Sequence, residues 1–247
     1  MPDGLEVQVE ASIAALQPGY RAGFVIAEGL VNGPSDETSE RELSAAERHW
    51  TTLEQTAGAA HPSAAESEPV GRLERAADHP HIGAWRAAFS AFGAKPSRYP
   101  SSAEALMSRA LRGAGLPRVN GLVDLYNAVS VKHAIPVGGE DLDAVRQPVR
   151  LIRATGEEPF DVAPDEIEHP RPGEVVWADA AGVTCRRWNW RQGHRTRLTE
   201  ATTRAYFLFD ALPPLTDEEL ERAMSELAAL LRATSPNARL STAVVRP

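Results

Sequence analysis

The chain has 247 residues, enough to bury a full core, with 24% charged and 43% hydrophobic residues and a net charge of −8. An acidic chain of this kind can still bind nucleic acid through a local patch, but its global field does not assist the encounter. One cysteine, Cys185, excludes an internal disulfide framework and a multi-cysteine zinc site, and makes a reducing cytosol the default compartment. No apolar run reaches the roughly 18–20 residues that span a bilayer, so no membrane partner is expected, and the N-terminus lacks the layout of a signal peptide.

In chain order, Leu5–Val9 and Phe24–Ala27 predict short strands around a Pro18-Gly19 turn. Gly33 to Asp36 breaks the chain, and Leu43, Ala46, Trp50 and Leu53 recur at helical spacing after it. Residues 56–69, rich in Ala, Gly, Ser, Pro and Glu, read as a surface connection. Trp85 and Phe89 share one face of a short helix, and Gly93 to Pro100 cannot be helical across two prolines. Ser101 and Glu104 have capping-box spacing and open a helix through Arg112, closed by Gly113 and Gly115. A further amphipathic helix carries Leu122, Leu125 and Val129 and ends before Pro136-Val137-Gly138-Gly139, which reads as a loop.

Beyond that point strands dominate: 149–153, 174–177, 183–188 and 204–209. Thr216 to Glu219 is a second capping box, opening a helix that buries Leu220, Met224, Leu227 and Leu231, with a disordered tail expected after Ser235-Pro236. Helices in one run and strands in another predict an α+β fold with a mostly antiparallel central sheet flanked by helices. The expected division is a 1–80 extension packed on the core, a core over 81–213 and a C-terminal helix over 214–235.

The densest chemistry lies in Val175 to Asp210, which holds Cys185, Trp188, Trp190 and six arginines between Arg186 and Arg204. Read as a strand, Trp188 and Trp190 share one face, while Arg187, Asn189 and Arg191 share the other. Asn189 and Gln192 offer rigid amides, and Arg187 and Arg191 offer forked donors for a carboxylate or phosphate. The bland alternative is a solvated edge strand with its aromatics in the core. His79 and His81 could share a metal, but Pro80 and the lack of a third ligand favour a turn, so no metal is expected. Cys185 with His194 could be a thiol nucleophile or simply a small buried hydrophobe. Gly138-Gly139 could cradle an anion or be a plain turn. Walker, Gly-x-Gly-x-x-Gly and Gly-x-Ser-x-Gly motifs are absent, and no cofactor is expected.

Residues 111–141 run from Leu-Arg-Gly-Ala-Gly-Leu-Pro-Arg-Val-Asn-Gly through Leu-Val-Asp-Leu-Tyr-Asn-Ala-Val to Ile-Pro-Val-Gly-Gly-Glu-Asp. They resemble the B3/4 domain, the editing domain of the bacterial phenylalanyl-tRNA synthetase beta subunit. That family shows a Gly-x-x-Pro-x-Asn entry, a Val-Asp-x-Thr-Asn-Tyr-Val helix and a Gly-Gln-Pro-Leu-His-Ala-Phe-Asp loop. Trp177-Ala178-Asp179 is similar to its Ile-Ala-Asp strand, and 188–193 sits where the family has a Gly-rich run. The likeness covers about residues 80–213 and is similar to free-standing B3/4 proteins, in which Arg187 to Gln192 and Lys95 to Tyr99 look characteristic.

The resemblance implies hydrolysis of mischarged aminoacyl-tRNA, with a tRNA acceptor end or small amino-acid-like ligand as partner. The family's helix Asn matches Asn127, its Thr matches Tyr126, and its loop His matches Gly138. Leu208 or Asp210 lies nearest its tyrosine-recognising Glu. Expected catalytic groups are Gly138, Gly139 and Asn127. Arg187, Asn189, Arg191, Gln192, Tyr126 and Asp179 would bind substrate, and Arg98, Lys132 and Arg195 would contact tRNA. The alternative is a non-catalytic module that binds a tRNA end, amino acid or nucleotide.

Overall fold

A computed structural model describes residues 4–50 and 73–247, so the 56–69 connection and Leu53 lie outside the described residues. In chain order the elements are β1 (Val7–Val9), α1 (Ala11–Leu16), β2 (Arg21–Glu28), α2 (Glu37–His49), α3 (Pro80–Ala91), α4 (Ser102–Leu111) and α5 (Gly121–His133). There follow β3 (Val137–Asp141), β4 (Val149–Arg153), β5 (Phe160–Ala163), β6 (Glu166–Glu168), β7 (Val175–Asp179), β8 (Gly182–Arg186) and β9 (Arg191–Gln192). The chain ends with β10 (Arg204–Ala211), α6 (Asp217–Thr234) and β11 (Arg239–Val245). The fold is α+β, as the separate runs of helix and strand predict.

The strands divide between two sheets. One is wholly antiparallel in the order β11-β2-β10-β3. The other is mixed, in the order β1-β4-β7-β8-β5-β6, with β9 paired to β8. Alternation along β10 assigns its two faces. Phe207 and Phe209 pack with Leu125 of α5 and Leu227 of α6, while Tyr206 and Leu208 pack with Leu151, Trp177 and Trp188 of the second sheet's layer. The layers therefore run helices, antiparallel sheet, mixed sheet. A third cluster joins Leu43, Ile82, Met107 and Val131 among the helices.

Local chemistry fixes the helix ends. Ser101 accepts from the Glu104 N–H and caps α4, but the Glu104 carboxylate pairs with Arg86 instead of closing a capping box. Thr216 and Glu219 do form the reciprocal box at α6. Asn120 caps α5 by accepting from Val123 N–H at 3.1 Å. Two expectations change. The tail after Ser235 forms β11 against β2, because Leu240 and Val244 pack on the helix-side core. Gly138 and Gly139 lie in β3, paired with Leu208 and Phe207, because an edge strand there completes β10's hydrogen bonding. Among the described residues, no helix is long and apolar enough to cross a membrane.

Candidate functional site

A cavity of about 150 Å³ opens between the two sheets. Cavities of about this volume hold a benzene ring, so an amino-acid side chain is the scale of ligand that fits. Tyr126 and Asn127 of α5, Gly138 and Glu140 of β3, Tyr206, Leu208 and Asp210 of β10 and the β8–β9 connection meet there, with Trp177 of β7, Cys185 of β8 and Ser102 of α4. The pairing Gly138↔Leu208 and Glu140↔Tyr206 puts these alternate residues on one sheet face.

The β8–β9 connection departs from the sequence reading. Residues 187–190 do not continue a strand. Arg187 (φ 47°) and Trp188 (φ 65°) adopt left-handed backbone, and the chain turns back so that Arg191 pairs with Arg186 and Gln192 with Cys185. Neither is a glycine or asparagine, the residues that occupy such a conformation readily, so local chemistry carries no turn signal. Tertiary bonds hold it. Trp188 N–H donates to Val175 O at 2.7 Å, and the Trp188 ring sits 5.0 Å from Tyr20 and 5.2 Å from Trp85. Arg186 grips Glu174 through Nε at 2.9 Å and Nη2 at 3.0 Å.

The turn thereby separates Arg187, Asn189 and Arg191 instead of aligning them. Asn189 enters the cavity, Arg191 lines its exposed rim, and Arg187 turns away onto the rings of Tyr99 and Trp190 at 3.7 and 4.3 Å. Asn189 O also accepts from Ser102 N–H at 2.9 Å, tying the turn to the start of α4.

Two buried carboxyls line the cavity. Asp210 accepts from the Tyr20 hydroxyl through Oδ1 and from Asn189 Nδ2 at 3.2 Å through Oδ2. Burial raises its pKa to about 6, against the pull of Tyr20 and Asn189 toward the charged form. Glu140 is raised further, to about 8, by burial, with the nearby Thr196 and Gln192 side chains opposing. Its Oε2 has no hydrogen-bond partner. Asp210 stands four residues along β10 from Tyr206, the partner of Glu140, so at about 3.4 Å per residue the two carboxyls belong to opposite ends of the cavity. The indole N–H groups of Trp177 and Trp188 and Asn189 Oδ1 are also buried without partners.

Of the sequence-predicted residues, Asn127, Tyr126, Gly138, Asn189, Arg191 and Gln192 line this one cavity. Gly139 lies behind it: its carbonyl accepts from Gln192 Nε2, and a Cβ there would stand 2.7 Å from Leu198 Cδ1. Asp179 serves the fold. It accepts from Arg146 N–H at 2.7 Å, from Ala181 N–H at 2.8 Å, and from Arg195 Nη2 at 2.7 Å. Arg195 is committed to Asp179 there and Lys132 to Glu42 and Glu226. Arg98 is exposed beside Tyr99.

Cys185 lines the cavity, where desolvation first, then Glu140 and Asp210, push its pKa well above the ordinary range and so disfavour the thiolate. His79 accepts from His81 N–H at 3.2 Å, and burial lowers both imidazoles. Among the described residues no three His, Cys, Asp or Glu side chains group as metal ligands.

Glu140 escapes the sequence reading. Counting on from Gly138 at the His of the Gly-Gln-Pro-Leu-His-Ala-Phe-Asp pattern, Glu140 falls on the Phe, and an acid at an apolar position is the signal that could have found it.

A family model described as "B3/4 domain" matches residues 84–235. Among solved structures, the chain is similar to an N-terminal fragment of the phenylalanyl-tRNA synthetase beta-subunit from Pyrococcus horikoshii. That match has a TM-score of 0.50 at 10% identity and covers 99% of this chain and 55% of the other. The likeness is one of fold, and the chain spans about 55% of that fragment's length. No curated protein matches the sequence.

Proposed function

Because the chain belongs to the B3/4 domain family, we propose that its inter-sheet cavity receives the aminoacyl group of a mischarged tRNA and hydrolyses the ester. The single observation that carries this reading is an amino-acid-sized aromatic cavity with a differently prepared carboxyl toward each end. Both oxygens of Asp210 are already engaged, by Tyr20 and Asn189, which suits it to fixing a polar group of the amino acid. Glu140 has a free Oε2 and a pKa of about 8, which suits it to taking a proton from water as general base.

An aminoacyl ester is already activated, so oriented water and a donor to the developing oxyanion suffice. With Gly138 and Gly139 drawn into β3, Gln192 Nε2 donating to Gly139 O and Asn189 Nδ2 to Asp210, Asn127 is the cavity's side-chain amide best suited to that donation. Attack by water on the carbonyl carbon, with Glu140 taking the water's proton, gives the tetrahedral species; as the C–O bond to the ribose breaks, Glu140 returns that proton to the departing ribose oxygen, and the ribose hydroxyl and the free amino acid are released.

The loss of a loop cradle at Gly138-Gly139 favours a second reading, a module that binds a tRNA end or amino acid without turnover. Incubation of the pure protein with a panel of mischarged tRNAs separates the two. Release of amino acid above the blank for at least one pair supports hydrolysis. Saturable binding with no release for any pair rejects it in favour of the binding module.

A further inference from the structure

Beside Trp190, whose ring also lines the aminoacyl cavity, lies a second cavity of about 180 Å³, lined by Tyr99, Arg171, Pro172, Glu174 and Arg187 among others. Arg187 is over nine-tenths buried, and its guanidinium is stacked against both Tyr99 and Trp190. Its charge is incompletely matched. The adjacent Glu174 carboxylate gives both oxygens to Arg186, at 2.9 and 3.0 Å, leaving Arg187 only a loose approach at 3.7 Å. Arg186 takes Glu168 as well, at 2.6 Å. Nη1 of Arg187 has no hydrogen-bond partner.

A buried guanidinium without a full counter-charge is costly. Here two further arginines crowd it: desolvation first, then Arg186 and Arg171, lower its proton affinity, while Glu174 and Tyr99 oppose. The left-handed backbone at Arg187 (φ 47°) is a second cost borne at the same residue. An anion in the cavity would relieve the charge imbalance. A tetrahedral, multiply accepting oxyanion suits forked guanidinium donors arriving from two separate segments.

We propose that the cavity lined by Arg171 and Arg187 is a phosphate-binding subsite, distinct from the inter-sheet cavity. It stands on its own geometry and does not require the protein to hydrolyse anything.

The test is saturable broadening of the phosphorus NMR line of inorganic phosphate by the full chain. Arg171 is exposed, so Arg171→Glu leaves the packed core alone. It should weaken phosphate binding about tenfold or more. Arg187→Lys, which keeps the charge and loses the fork, should weaken it in the same direction. Arg232→Glu, an exposed charge reversal on α6, should change it by less than about twofold. A CCA trinucleotide and adenosine monophosphate, added as competitors, identify whether the phosphate comes from a nucleic-acid end or a mononucleotide. Absence of saturable binding, or equal affinity in wild type and Arg171→Glu, overturns the proposal. No ester is present in this assay, so its failure is distinct from a failure of deacylation.

Discussion

The Tyr20 hydroxyl donates to the Asp210 carboxylate across 190 positions of sequence, joining the residue that leads into β2 to one end of the inter-sheet cavity. Tyr20 favours the ionised form of Asp210. Tyr20→Phe therefore pushes the Asp210 pKa above about 6. It should cost about 1–3 kcal/mol of stability near pH 8, and less near pH 5, where the carboxyl is protonated. Urea unfolding at the two pH values checks both the size and the direction.

Glu140 makes stability fall with rising pH. Its folded pKa, about 8, lies above its ordinary value of 4.5, so the folded chain holds a proton that the unfolded chain has lost in between. The stabilising contribution of the protonated form is fully present below about pH 4.5 and is lost as pH rises through about 8. Glu140→Gln removes that dependence. The variant should match wild type near pH 4 and exceed it by roughly 3–5 kcal/mol near pH 8.5. Equal slopes of stability against pH in the two proteins would contradict the assignment.

Adjacent glycines should respond differently. A methyl at Gly138 meets nothing within 4 Å, whereas one at Gly139 stands 2.7 Å from Leu198 and 3.2 Å from Tyr126 and Phe207. Gly139→Ala should cost about 1–3 kcal/mol through overpacking. Gly138→Ala should fold with little loss and weaken aminoacyl ligand binding by narrowing the cavity. Thermal unfolding combined with ligand titration distinguishes these effects.

The Arg186–Glu174 pair anchors the turn that delivers Asn189. Both side chains are almost wholly buried, at 6% exposure each. Glu174→Gln leaves Arg186 an uncompensated buried charge on that side and should cost about 3–5 kcal/mol. Replacing both residues with apolar groups of similar size should cost less. A double-mutant cycle read by chemical denaturation measures the difference.

Much of the scaffold is legible in the sequence because its signals are local. Asp217 to Thr234 announces itself through the Thr216–Glu219 box and its apolar spacing, and β4 and β10 through their apolar runs. The cavity wall is partly legible, since Asn127, Tyr126, Asn189 and Gln192 do meet. The remainder depends on long-range contacts. The 187–190 turn has no glycine to mark it and is held by Val175, Glu174 and Tyr20, so a period-two reading puts Arg187 and Asn189 on one face. Gly138-Gly139 reads as a loop because strand pairing with β10 cannot be inferred from two glycines. Glu140 shows in the sequence only as an acid at an apolar position of the pattern, and its significance comes from burial and a missing partner, neither of which a sequence displays.

The pH dependence of deacylation tests most directly whether Glu140 activates water in an aminoacyl-ester site. With a mischarged tRNA that the wild type hydrolyses, kcat/KM should rise about tenfold per pH unit and level off near the Glu140 pKa of about 8. Glu140→Gln should lower it by about 100-fold or more and flatten the profile. A Glu140→Gln protein that hydrolyses the same ester at wild-type rate with the same pH profile would contradict the account.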